Sequence, residues 1–269
     1  MGTRKINSVL SGRIMINPTI DLIHLHASVR HYKSDSLPAS VIETVISAGQ
    51  CASTSSNLQA YSVVAVTEAG KRKRLANLCG NQQFIAEAPV FLAWCADLAR
   101  LDHVCHLRGY SQETSFIESF LVAAVDTALA AQNAALAAES LGLGICYIGS
   151  IRNNLRDVID LLELPRLTLP IIGMTVGWPS KPPHRHPRLA LATILHWEHY
   201  DTTHEEESLR EYDNAMISTG IYTGRQIPVP GKPGELDDYG WTEHTARRLS
   251  RAVRTGLRAV IEEQGFGFR

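Results

Sequence analysis

The chain has 269 residues, 45% of them hydrophobic, and a formal net charge of -1. This length suits one globular domain with an excursion, or two small domains. The near-zero charge gives no electrostatic reason to expect nucleic acid or an anionic membrane as the main partner. The five cysteines are odd in number and form no CxxC pair. We therefore interpret them as free thiols of a protein in the reducing cytosol.

The N-terminal part of the chain predicts short helices and strands. Residues 1–17 are basic and lack the apolar run of a signal peptide, so we expect a loose extension. Asparagine or serine followed by proline indicates helix starts, and runs of β-branched and aromatic residues indicate strands. The predicted elements are helices at residues 19–25, from Ser36 and Pro38 onward, and at 71–78, and strands at 61–67 and 90–95.

A long alanine-rich helix is predicted from Leu121 to Ser140. Nine of these twenty residues are alanine, which favours a helix that other backbones or a flat ligand can approach closely. Asp126, Gln132, Asn133 and Glu139 interrupt the apolar run too often for a membrane span. We therefore expect a buried central helix.

The chain leaves this helix at Gly142 and Gly144, continues as a short strand over residues 145–148 and turns at Gly149. A glycine at such a turn exposes backbone N–H groups to whatever lies beside it. This turn is the first candidate binding position in the sequence.

The C-terminal part predicts further elements joined by loops rich in glycine and proline. They are a helix at 155–162, a strand at 170–176, a stiff basic loop at 180–188, a helix at 205–218, a link at 220–240 and a basic amphipathic helix at 241–264. Arginines along one side of a helix usually form a solvated face, but those of the last helix could instead bind a partner subunit. They are Arg247, Arg248, Arg251, Arg254 and Arg258.

A dispersed group of polar residues forms a candidate anion site. In an extended chain, His26, Ser28 and Arg30 share one face. With Arg188 and the hydroxyl-rich loop at 53–56 they could bind phosphate oxygens. A surface ion pair and a hydrophilic turn explain the same residues. Composition alone favours that simpler interpretation, because the chain has neither a GxGxxG nor a Walker loop.

Histidine pairs suggest a metal site more weakly. His103 and His106 are three residues apart, as are His196 and His199, with Glu198 between the latter pair. A metal site needs three or four convergent ligands, so structural or exposed histidines are the favoured interpretation and no metal is predicted.

Six segments, taken in order, resemble the flavin-dependent nitroreductase family, in the branch of major oxygen-insensitive NADPH nitroreductases and flavin reductase P. The resemblance implies an α+β nitroreductase fold, with a mixed central sheet flanked by helices, in an intertwined cytoplasmic homodimer. It implies a core at 18–204 and a C-terminal excursion at 205–269 that wraps the partner subunit. The segments are residues 26–32, 55–59, 79–89, 125–154, 169–179 and 187–189.

The resemblance also implies FMN at the subunit interface and NADPH or NADH as the reductant. A backbone N–H near Gly149 is expected to hydrogen-bond flavin N5, while FMN carries the hydride and electron chemistry. The reductant leaves before a nitroaromatic, quinone or free flavin enters the same site. The implied FMN contacts are His26, Ser28, Arg30, Thr54, Ser55, Ser56, Gln82, Tyr147, Ile148, Gly149, Ser150, His186 and Arg188.

Three positions depart from the family pattern. Ala27 stands where a second arginine is usual, and His186 where a lysine is common. Thr219 takes the place of an arginine that grips the NADPH 2′-phosphate, so that only Arg225 remains for this role. The choice between NADPH and NADH therefore stays open.

Three alternative functions remain at this point. A flavin reductase that supplies a partner monooxygenase would use the same site. A metal-dependent hydrolase would use His196, Glu198 and His199. A flavin-binding protein without turnover would share the binding residues but not the reaction.

Overall fold

A four-stranded sheet lies at the centre of the structure, a computed structural model that describes residues 17–228, 231–236 and 239–269. Residues 1–16 of the predicted extension and four residues of the predicted link lie outside this description. The strands follow the spatial order β1-β2-β4-β3. They are β1 (Tyr61–Val66), β2 (Val90–Asp97), β3 (Gly144–Ile148) and β4 (Thr168–Gly177).

The sheet is antiparallel at each of its three strand pairings. The α+β class is confirmed, because helices cover a sheet in which each described pair of neighbouring strands is antiparallel. The expectation of a mixed sheet is wrong for the described residues, since no parallel pairing joins these four strands.

Ten α-helices lie in the described part of the chain. The helices predicted at 155–162 and 205–218 are confirmed at both ends, and Asn17 caps the first helix as expected. They are α1 (Pro18–His24), α2 (Ala39–Gln50), α3 (Ala69–Leu78), α4 (Gln83–Glu87), α5 (Ala99–Leu107), α6 (Ile117–Ser140), α7 (Leu155–Leu162), α8 (Glu205–Ser218), α9 (Trp241–Leu249) and α10 (Leu257–Glu263).

Side chains of β2 alternate between two apolar clusters, one on each face of the sheet. Leu92 and Trp94 pack with helices α2 and α6. Phe91 and Ala93 pack with helices α3, α4 and α7. Because both faces are covered, every residue of β2 is buried, and the strand is a continuous apolar run rather than an alternating one.

Helices α2 and α6 pack closely because small residues face each other. A Cβ atom at Gly49 would lie 3.0 Å from the carbonyl oxygen of Ala130 and 3.2 Å from the Cβ atom of Ala134. Both alanines are buried. The prediction that α6 is a central core helix is therefore confirmed for this face.

The opposite face of α6 carries a stripe of exposed apolar side chains. Ile117, Leu121, Val125 and Leu129, four residues apart, are 44–55% exposed. By length and hydropathy α6 could cross a membrane. However, its alanine face packs in the core and Asp126 is buried in its middle, which is typical of a core helix in a globular protein.

The prediction of one basic helix at 241–264 is wrong. Helix α9 ends at Leu249, and α10 begins at Leu257. Between them Arg254 adopts a left-handed backbone conformation, with φ of 54°, and its side chain hydrogen-bonds Asn153. This tertiary contact overrides the helical pattern and separates the arginines into different elements.

Candidate functional site

The turn at Gly149 leaves open space beside the end of β3. A Cβ atom at Gly149 would meet only Arg152 Nη2, at 3.6 Å, which is ordinary van der Waals contact. By contrast, a Cβ atom at Gly144 would lie 2.4 Å from Val29, and one at Gly173 would lie 2.3 Å from Phe91. Packing within the chain therefore explains Gly144 and Gly173 but not Gly149, whose open side can receive a flat ligand.

The segment around Val29 runs in an extended conformation beside β3. The backbone N–H of Val29 donates to the carbonyl of Ile145 at 2.8 Å. Ala27 and Val29 are buried, so the alternate residues His26, Ser28 and Arg30 face outward as the sequence predicted.

Arg30, His186 and Arg188 converge near this segment, with His184 close to them. Burial lowers the pKa of His186, and the neighbouring charges of His184, Arg30 and Arg188 lower it further. His186 Nδ1 is buried without a hydrogen-bond partner among the described residues. None of the ion pairs in the described part of the chain involves Arg30 or Arg188. A cationic group with an unpaired buried nitrogen fits an anion such as a phosphate.

His26 is held by the central helix. The Glu139 carboxylate lies 2.6 Å from His26 Nδ1, so this nitrogen donates and Nε2 remains for a ligand. Burial raises the pKa of Tyr147, and the charge of Glu139 raises it further. Tyr147 therefore lies near the same carboxylate that contacts His26. Its hydroxyl also donates to Gln132, at 3.4 Å. Two polar residues of α6 thus contact predicted FMN residues.

Gln82 and Ser150 lie together on the other side of the Gly149 turn. The Gln82 amide donates to Ser150 Oγ and, at 2.6 Å, to the carbonyl of Cys79. Ile148 precedes this turn as the last, buried residue of β3. The structure therefore brings Gln82 to the 147–150 segment of its own chain. Its predicted contact with the flavin stays a prediction.

The hydroxyl loop with Thr54, Ser55 and Ser56 lies beside the middle of α6. Asp126 accepts a hydrogen bond from the backbone N–H of Ser55 at 2.9 Å. Thirteen residues separate Asp126 from Glu139, which corresponds to about 20 Å along a helix. Within one chain the hydroxyl loop therefore lies far along α6 from the His26 contact, and its part in the predicted dispersed anion site stays a prediction.

Sequence reasoning missed a pair of arginines beside the Gly149 turn. Arg152 is in this turn, and both burial and the nearby charge of Arg254 lower its pKa. Arg254 Nε donates to Asn153 Oδ1 at 2.9 Å. Both arginines line an open cavity of about 380 Å³. Nothing in the linear pattern connects these two distant residues.

Arg225, the residue predicted for NAD(P)H, lies elsewhere. Its guanidinium lies 5.9 Å from the ring centroid of Tyr222, in the C-terminal segment. No contact in the described part of the chain joins it to the residues of the Gly149 turn. Its role therefore stays a prediction.

The metal-site alternative has no supporting geometry. His196, Glu198 and His199 lie outside the helices, and Glu198 has a left-handed φ of 62°. These residues do not lie on one helix, so their three-residue spacing does not bring the two imidazoles to the same side. Over residues 17–228, 231–236 and 239–269, no three His, Cys, Asp or Glu side chains are placed to hold a metal ion.

Known proteins resemble this chain over nearly its whole length. It is 35% identical to the FMN reductase (NADPH) of Bacillus subtilis over 255 residues, 93% of this chain and 99% of that protein. It is 34% identical to the oxygen-insensitive NADPH nitroreductase of Salmonella typhimurium over 258 residues, 94% of this chain and 100% of that protein.

Solved structures agree with these relatives. The NfrA2 structure of B. megaterium has a TM-score of 0.86 and 33% identity, and the match covers 94% of this chain and all of that one. The NADPH:FMN oxidoreductase from Vibrio harveyi complexed with NAD+ has a TM-score of 0.82 and 31% identity, with coverage of 94% and 100%.

The family comparison covers both parts of the chain. The Nitroreductase family matches residues 25–178, and the C-terminal domain of the same family matches residues 186–269. Together with the antiparallel sheet covered by helices, these matches confirm the predicted resemblance. The chain belongs to the nitroreductase family.

Proposed function

We propose that the chain is an FMN-dependent NAD(P)H oxidoreductase that reduces nitroaromatics, quinones or free flavins in a ping-pong cycle. The observation that carries this proposal is the open side of Gly149 at the end of β3, the strand along which the segment with Arg30 runs, together with the basic group of Arg30, His186 and Arg188. Relatives named FMN reductase (NADPH) and oxygen-insensitive NADPH nitroreductase support the same reaction class.

The residues present fit a flavin mononucleotide. Arg30 and Arg188 supply positive charge for the phosphate, the imidazole of His186 offers an unpaired nitrogen, and His26 presents Nε2 from the Glu139 contact. Ser28 lies on the same outward face. The space at Gly149 lets a backbone N–H approach the ring, where we assign it to flavin N5. When bound, FMN supplies the hydride and electron transfer.

A second copy of the chain completes the site in this proposal. The hydroxyl loop lies about 20 Å along α6 from the His26 contact, so we assign Thr54, Ser55 and Ser56 to the flavin of the partner subunit. Exposed apolar residues supply surface for a homodimer. They are the stripe on α6 and, in the C-terminal segment, Leu191, Ile194, Trp197 and Tyr200, which are 64–75% exposed.

The proposed division of labour follows the domain boundaries predicted from the sequence. Residues 18–204 form the FMN-binding core, and residues 205–269 extend over the partner. Small-molecule oxidants are the expected partners, with no nucleic acid and no membrane. The free thiols of the five cysteines fit a cytoplasmic location.

The reductant site is assigned to the cations beside the Gly149 turn. Arg152 and Arg254 are adjacent, and none of the ion pairs in the described part of the chain includes either of them. They are candidates for the phosphates of NADPH or NADH, beside the earlier candidate Arg225. A comparison of Arg254→Ala with Arg225→Ala, by the KM for NADPH, separates these assignments.

An anaerobic titration tests the proposal. Purified protein is loaded with FMN and titrated with NADPH or NADH, and the absorbance of oxidised flavin is followed. We expect the absorbance to bleach with one equivalent of reductant and to return when a nitroaromatic or quinone is added. Protein that takes up no FMN would contradict the proposal. FMN uptake without steady oxidation of NADPH on adding a nitroaromatic or quinone would instead support the non-catalytic flavin-binding alternative.

A flavin reductase is the second candidate because several relatives carry that name. The same preparation distinguishes the two by the acceptor. Faster steady oxidation of NADPH with free FMN than with nitroaromatics or quinones would favour a flavin reductase that supplies another enzyme.

A further inference from the structure

Asp126 is a buried carboxylate in the middle of the alanine-rich helix. Its exposed fraction is 0%. None of the ion pairs in the described part of the chain includes it. A carboxylate removed from water is tolerated only when hydrogen bonds replace its hydration. The groups that donate hydrogen bonds to Asp126 therefore indicate its role.

Two backbone amides of the hydroxyl loop provide these hydrogen bonds. Asp126 Oδ1 accepts from the N–H of Ser55 at 2.9 Å, and Oδ2 accepts from the N–H of Ala60 at 3.1 Å. The two amides stand at the ends of one six-residue segment. One side chain of α6 thus fixes both ends of residues 55–60, the segment that contains Ser55 and Ser56 of the hydroxyl loop.

The backbone between these two points is strained. Ser56, Asn57 and Gln59 have positive φ angles of 48°, 57° and 53°. Residues other than glycine adopt this left-handed conformation only where the surroundings enforce it. The two bonds from Asp126 bracket all three residues, so they are placed to enforce it.

Arg100 holds the same loop from the other side. Its Nη2 donates to the carbonyls of Gln59 at 2.7 Å and Tyr61 at 2.6 Å. Asp97 lies 3.6 Å from Arg100 Nη1 and orients the guanidinium. A negative group therefore binds the loop amides, and a positive group binds the loop carbonyls.

The loop side chains remain free of this framework. Thr54, Ser55 and Ser56 are not buried, and within the described residues their hydroxyls form no hydrogen bond. A buried carboxylate thus fixes the backbone of the loop, while the side-chain hydroxyls of the loop have no hydrogen-bond partner among the described residues. This is the arrangement expected of a preorganised ligand contact rather than of a loop that only closes the core.

We propose that Asp126 is a positioning residue that preorganises the hydroxyl loop for flavin binding, with Arg100 as its counterpart. The inference rests on the proposed function, because it takes FMN as the ligand of the loop. Asp126 itself does not contact the ligand. It acts through Ser55 and Ser56, so its effect on FMN affinity should depend on their hydroxyls.

The first test compares Asp126→Asn with the neighbouring Thr127→Val. Asparagine keeps the size of the side chain, but its NH₂ group cannot accept from one of the two loop amides. Thr127 is equally buried, and its hydroxyl bonds only Ala123 of its own helix. We expect the Kd for FMN, measured by quenching of flavin fluorescence in apoprotein, to rise about tenfold in Asp126→Asn and less than about twofold in Thr127→Val.

A double-mutant cycle separates positioning from general stability. Replacing Ser55 and Ser56 together by alanine should raise the Kd in the wild type but change it little in the Asp126→Asn background. Hydrogen exchange at the Ser55 and Ala60 amides should accelerate in Asp126→Asn apoprotein. Additive effects in the cycle, or an unchanged Kd in Asp126→Asn despite faster exchange, would overturn the inference.

A second variant keeps the test valid if Asp126→Asn does not fold. Arg100→Lys retains the charge near Asp97 but cannot donate to both loop carbonyls. The same cycle with Ser55 and Ser56 should again be non-additive, and additivity would overturn the inference. Wild-type protein that binds no FMN refutes the proposed function. Wild-type protein that binds FMN with the same Kd after Ser55 and Ser56 are replaced refutes only the assignment of the loop.

Discussion

Two carboxylates of helix α6, one near its C-terminal end and one in its middle, organise different parts of the candidate site. Near its C-terminal end, Glu139 contacts His26, beside the basic group and the Gly149 turn. Toward its N-terminal half, Asp126 fixes a loop of neutral hydroxyls. The region near Glu139, the basic end, therefore supplies positive charge and an open turn, and the region at Asp126 supplies uncharged donors and acceptors. Because about 20 Å along the helix separates these contacts, one chain carries two halves of different sites.

The largest expected effect comes from the basic end. Arg30→Ala and Arg188→Ala each remove a charge-assisted hydrogen bond worth about 1.5–3 kcal/mol, so the Kd for FMN should rise roughly 10- to 150-fold. Arg74→Ala, an exposed arginine on α3, is the matched control and should leave it unchanged. Flavin affinity that is unaltered in both site variants would show that the phosphate binds elsewhere.

Gly149 and Gly173 differ in what surrounds them: Gly149 faces open space, and Gly173 faces the packed side chain of Phe91. Gly149→Ala should leave the free energy of unfolding of apoprotein unchanged and raise the Kd for FMN about tenfold, because the methyl group occupies the open side of the turn. Gly173→Ala should instead lower thermal stability, since its Cβ would overlap Phe91. Calorimetry and fluorescence titration of both variants check this contrast. Equal loss of stability in the two would contradict it.

Glu139→Gln probes how the helix orients His26. The amide keeps a polar contact but loses the charge, so we expect the Kd for FMN to rise about fivefold, corresponding to roughly 1 kcal/mol. Glu118→Gln, in the first turn of the same helix, is the control and should have no effect. A larger effect at Glu118 than at Glu139 would rule out the His26 contact as the cause.

The smallest effect concerns the pH dependence of apoprotein stability. The pKa of His186 lies below its ordinary value of 6.5 in the folded chain, so the unfolded chain binds the proton first as pH falls. The contribution of neutral His186 to the free energy of unfolding is therefore complete above pH 6.5 and decreases as the pH falls below 6.5. From pH 7.5 to 5.5 the Tm of the wild type should fall about 1–3 °C more than that of His186→Gln. Identical pH profiles of Tm would contradict this sign.

Local patterns predicted much of the fold. Helix α7 ends before Pro165, and the acidic first turn of α8 marks its start, so both were found from the sequence. The Gly149 turn was also found, because a strand followed by glycine and a polar run is a local signal. These features depend on neighbours a few residues away.

The features that the sequence did not reveal depend on distant partners. Asp126 looked like an interruption of an apolar helix, whereas its partners Ser55 and Ala60 precede it by 71 and 66 residues. The break before α10 depends on the contact of Arg254 with Asn153. The antiparallel direction of the strands likewise follows from tertiary pairing and not from the composition of each strand.

Mixed dimers test the central claim most directly. One chain carries Arg30→Ala and Arg188→Ala, the other carries Ser55→Ala and Ser56→Ala, and each homodimer is first shown to bind FMN weakly. If each site combines the basic end of one chain with the hydroxyl loop of the other, the mixed dimer has one intact site. We predict one FMN per mixed dimer bound with wild-type affinity. Two equally weakened sites, and none of wild-type affinity, would show that both halves come from one chain.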